Sequence, residues 1–448
     1  MLDTTTPLLQ SCTHSSIDLG RNQSGRQGVD MSGPTWGRRL RRTRHRPLVS
    51  VLVATGAVLA LAACSGGSGG ASDGDDTGAS GSDSPGVTDS EVMVAYIGDL
   101  TGPDAGTEQT YYLGIKAAID VANANGGVAG RQIKLEAGDT KFDTPTAISL
   151  FTKYTTDDPA LAILGINVSS MFEALDTKIK SAKIPVVGPV GVTQLTLDNP
   201  YVYQAQADLN VSSAAIASYI NAEQGDGQKV GVATISTASG DEWFDLFGKA
   251  AEEASLTVGS HQKIDPAAVE AAAQVAQFKN EGDTALTLHS GGGGGIALVK
   301  SMATGGLDVP VYSTFGANGP ALWEAAGDLA PRVFAFDAFA PPDSDVEGKA
   351  DLEAAMQANG DWDKYKLEKN YAEGWVIGNV LVQSLEAAGK DLTLASFVDA
   401  LESPDGFETG GYSDPINWSE DNGVTDPAAI HAFTYDAASG RIIQADQS

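Results

Sequence analysis

From Val92 onward, short apolar runs alternate with longer stretches in which apolar residues recur at helical spacing. Val92, Val94, Tyr96 and Ile97 form the first run, and Leu100-Thr101-Gly102-Pro103 ends it, because proline withholds a ladder N–H and glycine permits a sharp turn. Leu113, Ile115, Ala117, Ala118, Ile119, Val121 and Ala122 then make a wide stripe suited to covering a sheet. Asn125-Gly126-Gly127 closes that helix and residues 133–135 open a second strand, so the unit reads βαβ and predicts a parallel sheet. Asp143-Thr144-Pro145 caps the next helix, with proline at its tolerated first position. A buried-strand run follows at 160–165, a helix runs from Ser169-Ser170 to Ala182, and a fourth strand at 184–187 ends in Gly188-Pro189-Val190-Gly191-Val192-Thr193.

Residues 199–210, NPYVYQAQADLN, show no clear period and read as a crossover. The pattern then restarts: helices at 212–223, 241–254, 266–280 and 296–305 interleave with strands at 230–235, 257–264, 285–289 and 309–313. Three helical stretches at 347–359, 371–388 and 394–401 precede short strands near 432–435 and 442–444. A chain of 448 residues is too long for one ordinary core. The predicted fold class is therefore α/β, with two doubly wound parallel-sheet lobes, and ligands of such sheets bind outside the carboxyl ends of the strands.

The first ninety residues read as delivery. Arg38, Arg39, Arg41, Arg42, Arg44 and Arg46 precede an apolar run at 48–63, too short and alanine-rich for a convincing membrane span. It ends Leu61-Ala62-Ala63-Cys64, the pattern of a bacterial lipobox, whose small residues admit a peptidase and whose thiol carries diacylglycerol. Residues 1–63 are thus a signal peptide, with Met31 an alternative start, and Cys64 is the lipidation site. Acyl chains at about 0.8 kcal/mol per buried CH₂ anchor firmly. Residues 64–90, rich in Gly, Ser and Asp, read as a flexible tether reaching about 25 to 30 Å. Without residues 1–63, which hold eight Lys/Arg and three Asp/Glu, the chain carries 20 basic and 55 acidic residues, a net of −35. That balance argues against nucleic acid and suits a soluble exported protein. The two cysteines, Cys12 and Cys64, leave no disulfide after cleavage.

LTGP after the first strand, NANGGVAGRQIKLEAGD after the helix, and DTPTAISLFTKYTTDDPALAILG beyond it together resemble the leucine/isoleucine/valine-type solute-binding proteins of ABC importers, the branched-chain amino acid family. The resemblance implies a periplasmic binding protein type I fold with a three-crossing hinge. Its threading would give lobe 1 as 91–205 plus 341–425 and lobe 2 as 206–340 plus 426–448. It also implies a monomeric, lipid-anchored receptor on the extracytoplasmic face of the bacterial membrane. Such a receptor passes a small solute to an ABC permease and its ATPase subunits, with no cofactor. A sensor ectodomain of the same fold, signalling to a partner, is the second reading.

Candidate cleft residues come from loops at predicted strand ends. On the first lobe these are Thr101, then Ser169 and Ser170 at a helix start, where free N–H groups and the dipole favour a polar or anionic group, and Gly191 and Thr193. Ser170 could equally be a plain helix cap. In the resembling proteins the matching serine region holds the ligand carboxylate, and an alanine-threonine pair falls near Gly191 and Val192. Tyr203 sits at the first crossover, and Tyr111 or Tyr112 could lid the cleft. On the second lobe the candidates are Asp241, whose alternative is a helix-start carboxylate, Ser290 and Phe315. Amino-acid binders carry an acid for the ammonium near Phe315, and here an aromatic stands instead. The run from Gly291 to Gly295 lacks the Gly-Lys-Ser/Thr of a nucleotide loop and reads as space-making. His289 reads as a satisfied loop residue ahead of a ligand contact. Catalysis is disfavoured, because Ser169/Ser170 with His289 lacks a nucleophile elbow, Asp139 and Asp143 read as turn and cap, and metal-ligand spacing is absent.

Overall fold

The computed structural model describes residues 84–188, 191–317, 319–418 and 429–445. The signal peptide over 1–63, Met31, Cys64 and most of the tether lie outside the described residues. The stretch 84–90 does not behave as a tether. Val87 is buried against lobe 1 and bridges Val92, and the Ser84 hydroxyl accepts a hydrogen bond from the Leu394 N–H at 2.9 Å.

Strands β1 (Glu91–Gly98), β2 (Gln132–Asp139), β3 (Ile163–Gly165), β4 (Val186–Gly188) and β5 (Val202–Gln204) form one parallel sheet in the order β2-β1-β3-β4-β5. All of β1 beyond Glu91 is buried, as expected of a central strand covered on both faces. A second sheet holds β6 (Lys229–Ile235), β7 (Thr257–Ile264), β8 (Ala285–His289), β9 (Val311–Ser313), β10 (Val333–Asp337), β11 (His431–Asp436) and β12 (Arg441–Gln444), ordered β12-β11-β10-β9-β8-β6-β7. Its last two strands run antiparallel at one edge. The chain passes between the sheets after β5, after β10 and before β11, which makes three crossings.

Glycines decide how the returning segment seats on lobe 1. Helix Ala105–Ala124 crosses helix Lys369–Ala388 so closely that a Cβ on Gly114 would lie 2.2 Å from the Tyr371 carbonyl, and one on Gly374 2.2 Å from that of Tyr111. The apolar core around that crossing draws on Tyr96, Tyr111, Ile115, Trp375, Ile377, Phe397 and Trp418. Lobe 2 has its own cores, built around Phe278, Leu298 and Trp323 and around Trp243, Phe247 and Tyr312.

Three local readings differ from the structure. The crossover at 199–210 contains β5, and its three residues are too short to show a period. Helix Pro320–Ala326 and β10 occupy a region left without elements. The glycine run is helical, since Gly292–Gly305 is one helix with Gly291 at its N-cap. A Cβ on Gly294 would stand 3.1 Å from the Asp265 carbonyl and 2.9 Å from the Ser290 hydroxyl, so glycine there lets the helix start against the neighbouring loop.

Candidate functional site between the lobes

A space of about 80 Å³ lies between the carboxyl ends of the two sheets. Lobe 1 contributes Asp104 and Pro103 after β1, Asn167 to Ser169 after β3, and Val192 after β4; lobe 2 contributes Thr237, Ser239, His289 and Phe315. A second space of about 180 Å³ shares Pro103 and Gly316 with the first, and is walled by Ile296, Leu322, several glycines, Glu368 and Asn370.

Two helices, one from each lobe, begin at the smaller space: Ser169–Ala182, with Val168 at its N-cap, and Ala238–Glu253, with Thr237 at its N-cap. Neither cap residue satisfies the first turn with its side chain, so the free N–H groups and the positive dipole ends face the cleft. They meet directly. The Ser169 hydroxyl lies 3.2 Å from that of Ser239 and accepts from the Ser239 N–H at 3.3 Å. At the rim the Gln194 N–H donates to the Glu242 carboxylate at 2.9 Å, so the lobes are in contact across the cleft mouth.

His289 is buried beneath Phe315 and beside Trp243, whose ring centroid is 5.3 Å away. Its Nδ1 lies 2.9 Å from the Thr314 hydroxyl, and burial lowers its pKa to about 4, so the imidazole is neutral at physiological pH. Asp104 is the acid of the site. Burial pushes its pKa up to about 7, with the Thr107 hydroxyl pulling down and Asp99 pushing further up. Asp99 itself accepts the N–H groups of Gly102 at 2.6 Å and Asp104 at 2.8 Å, which shapes the turn that aims Asp104 at the cleft.

Of the candidates read from sequence, Ser169 and Phe315 line the space. Ser170, one position further along its helix, does not line the space and is not the N-cap. Gly191 packs behind Ser169, and Thr193 stands at the N-cap position of the short helix Gln194–Leu197 without a side-chain cap bond, its hydroxyl 3.3 Å from that of Thr196. Thr101 is on the exposed turn and donates to Asp139 at 2.6 Å. Tyr203 is in the lobe 1 core, donating to Glu402 at 2.8 Å. Asp241 points outward to pair with Lys263. Ser290 is buried beside the space and donates to the Gly291 carbonyl at 3.2 Å. Tyr111 is buried core, and Tyr112 packs on Tyr96. Asp104, Asn167, Thr237 and Ser239 were not singled out as candidates, although all four follow strand ends and stand in the same strand-end stretches as Thr101, Ser169 and Asp241.

Two hinged α/β lobes enclosing a space at their strand ends define a periplasmic binding protein type I fold. The chain belongs to the periplasmic binding protein family, whose model matches residues 91–436. Members of this family are solute-binding proteins. Among solved structures the chain is similar to a fatty acid ABC transporter substrate-binding protein from Thermomonospora curvata, at 24% identity and TM-score 0.73 over 81% of this chain and 93% of that one. It is also similar to a branched chain amino acid ABC transporter from Thermus thermophilus with bound valine, at 18% identity and TM-score 0.72 over 80% and 95%. A possible leucine/isoleucine/valine-binding protein from Rhodopirellula baltica follows at 19% and 0.71 over 80% and 97%. At these identities the likeness establishes the fold alone. A search of the curated proteins returns no match. Among the described residues no helix is long and apolar enough to cross a membrane, and no cluster of His, Cys, Asp and Glu could hold a metal.

Proposed function

We propose that this protein is the lipid-anchored, extracytoplasmic receptor of an ABC importer, and that it closes over a small polar solute without chemically changing it. The observation that carries the reading is the meeting of two helix starts at Ser169 and Ser239 beside an interlobe space. Both helix starts lack a side-chain cap, and their positive dipole ends favour a carboxylate or amide oxygen, which would take over the Ser239 N–H now donating to Ser169. Inserting that group between the two serines would replace their direct contact with ligand contacts on each lobe. Because lobe 2 contacts exist only when the cleft is shut, the ligand's differential affinity drives closure. Two of the similar structures point the same way: one is named for a fatty acid and one holds valine, and both molecules carry a carboxylate. The adjoining space, with Ile296, Ala321 and Leu322 on one side and Glu368 and Asn370 among its polar lining, would take the rest of such a ligand.

The test is a thermal-shift screen across amino acids, small carboxylates, amides and aromatic acids, followed by solution scattering with any hit. A hit should compact the protein, and Ser169→Ala should weaken it about tenfold or more, the loss of a hydrogen bond to a charged group. Absence of any hit together with unchanged scattering would discard the reading.

A further inference from the structure

Asp104 is the carboxylate that lines the smaller space, and two fully buried acids stand close behind it: Asp99, which accepts the Asp104 N–H, and Glu108 on the following helix. The buried cation nearby, Lys369, forms its ion pairs with Asp337 and Glu373, at 3.0 and 2.9 Å. Glu108 accepts the Tyr96 hydroxyl at 2.5 Å, and burial first and Asp104 second push its pKa well up. Asp104 likewise has a hydroxyl beside it, that of Thr107, and a pKa raised by burial. Its Oδ1, like Glu108 Oε1, is buried without a hydrogen-bond partner, but Asp104 is the one that lines the space, with Oδ1 3.6 Å from where a Cβ on Gly291 would sit. The start of helix Gly292–Gly305 approaches that oxygen from the opposite lobe but gives it no hydrogen bond. A buried carboxylate oxygen left unpaired is costly, and a ligand that supplies a donor recovers the cost.

We propose that Asp104 is a cation-recognition subsite, placed on lobe 1, that receives a primary ammonium group of the solute. The proposal rests on the solute-receptor reading above and names the substrate class for it: aliphatic or aromatic amines, including amino acids whose carboxylate lies at Ser169 and Ser239. The sequence places an aromatic, Phe315, where amino-acid binders were expected to carry their acid. The structure supplies an acid from the opposite wall, with the Phe315 and Phe142 rings lining the same space. The groups facing Asp104 are Asp99 on its own loop, Glu108 on the following helix, Tyr96 on β1 and neutral His289 across the cleft, with Glu373 and Lys369 deeper. None supplies it with a positive charge.

The experiment uses two matched sets: leucine with 4-methylpentanoate and 3-methylbutylamine, and phenylalanine with 3-phenylpropanoate and 2-phenylethylamine. Affinities are measured by calorimetry on the purified protein and on Asp104→Asn. At least one amino-bearing compound should bind about tenfold or more tightly than its des-amino partner, and Asp104→Asn should erase that difference. Wild-type affinity for the amine should rise from pH 5 to pH 8 as Asp104 loses its proton, and the Asn variant should be flat. The Asn variant should also melt no lower than wild type at pH 8, which a merely structural aspartate would not allow. If the des-amino acids bind as well as or better than their partners, and Asp104→Asn changes nothing, the ammonium subsite is wrong while the receptor reading survives. If no compound binds and scattering shows no compaction with any of them, both fall.

Discussion

Gly191 fixes where Ser169 sits, because a Cβ there would come 2.5 Å from the Ser169 Cα and 2.6 Å from its nitrogen. Gly191→Ala should therefore push the start of helix Ser169–Ala182 out of the cleft. Calorimetry should show ligand affinity falling about tenfold, with a stability loss of about 1–3 kcal/mol in urea. His289 supports a second prediction. Its folded pKa lies below that of a free histidine, so the folded state binds fewer protons and this residue's share of stability is lost as pH falls from about 6.5 toward 4. The raised carboxyls of Asp104 and Glu368 act in the opposite sense, gaining stability on acidification below about pH 7. Wild type sums these opposing slopes. On going from pH 7 to pH 5, His289→Gln should gain about 2 kcal/mol relative to wild type in urea denaturation. Ser169 and Phe315 were legible because strand-end loops are read directly from period changes. Ser170 and Asp241 share that logic, but the helical turn directs them elsewhere. Asp104 follows Gly-Pro and reads as an ordinary turn aspartate; its role depends on a carboxyl end buried by the other lobe.

The elements with clear periods were found within a few residues, while those set by neighbours were not. Four glycines in a helix contradict intrinsic propensity, since each costs about 1 kcal/mol against alanine. The run from Gly292 therefore looks like a loop until the approach of Asp265 and Ser290 to Gly294 is seen. Gly293 lacks that constraint, because its Cβ would meet only the Pro266 and Ala268 carbonyls at 3.4 and 3.7 Å. Gly293→Ala should accordingly stabilise the protein by about 0.5–1 kcal/mol in chemical denaturation. Gly374 is the reverse case. At 2.2 Å from the Tyr111 carbonyl, an alanine must separate the two crossing helices. β5 and β10 were missed because three residues at an edge and a five-residue apolar stretch carry too little periodicity to separate strand from loop.

At the scale of the whole molecule, the crossings share one buried polar network. Gln206, just past the first crossover strand, donates to Glu373 at 2.6 Å and to Asp337 at 3.4 Å, and Asp337 ends β10 where the chain leaves lobe 2. Lys369 and Glu373 belong to the returning lobe 1 helix, and Lys369 also reaches the Tyr111 hydroxyl at 3.3 Å. Burial alone would lower the Lys369 pKa, but Asp337 and Glu373 more than offset it, so the lysine stays charged. A buried pair of this kind is weak evidence for net stability, yet removing one partner strands the other. Lys369→Met leaves two carboxylates buried without their cation, and should cost about 3–5 kcal/mol at pH 8 in urea denaturation. The stranded acids then have raised folded pKa values, bind more protons folded than unfolded, and regain stability as pH falls. The deficit against wild type should shrink markedly between pH 8 and pH 5. A deficit that held constant with pH would mean the lysine acts by filling space at the hinge rather than by its charge.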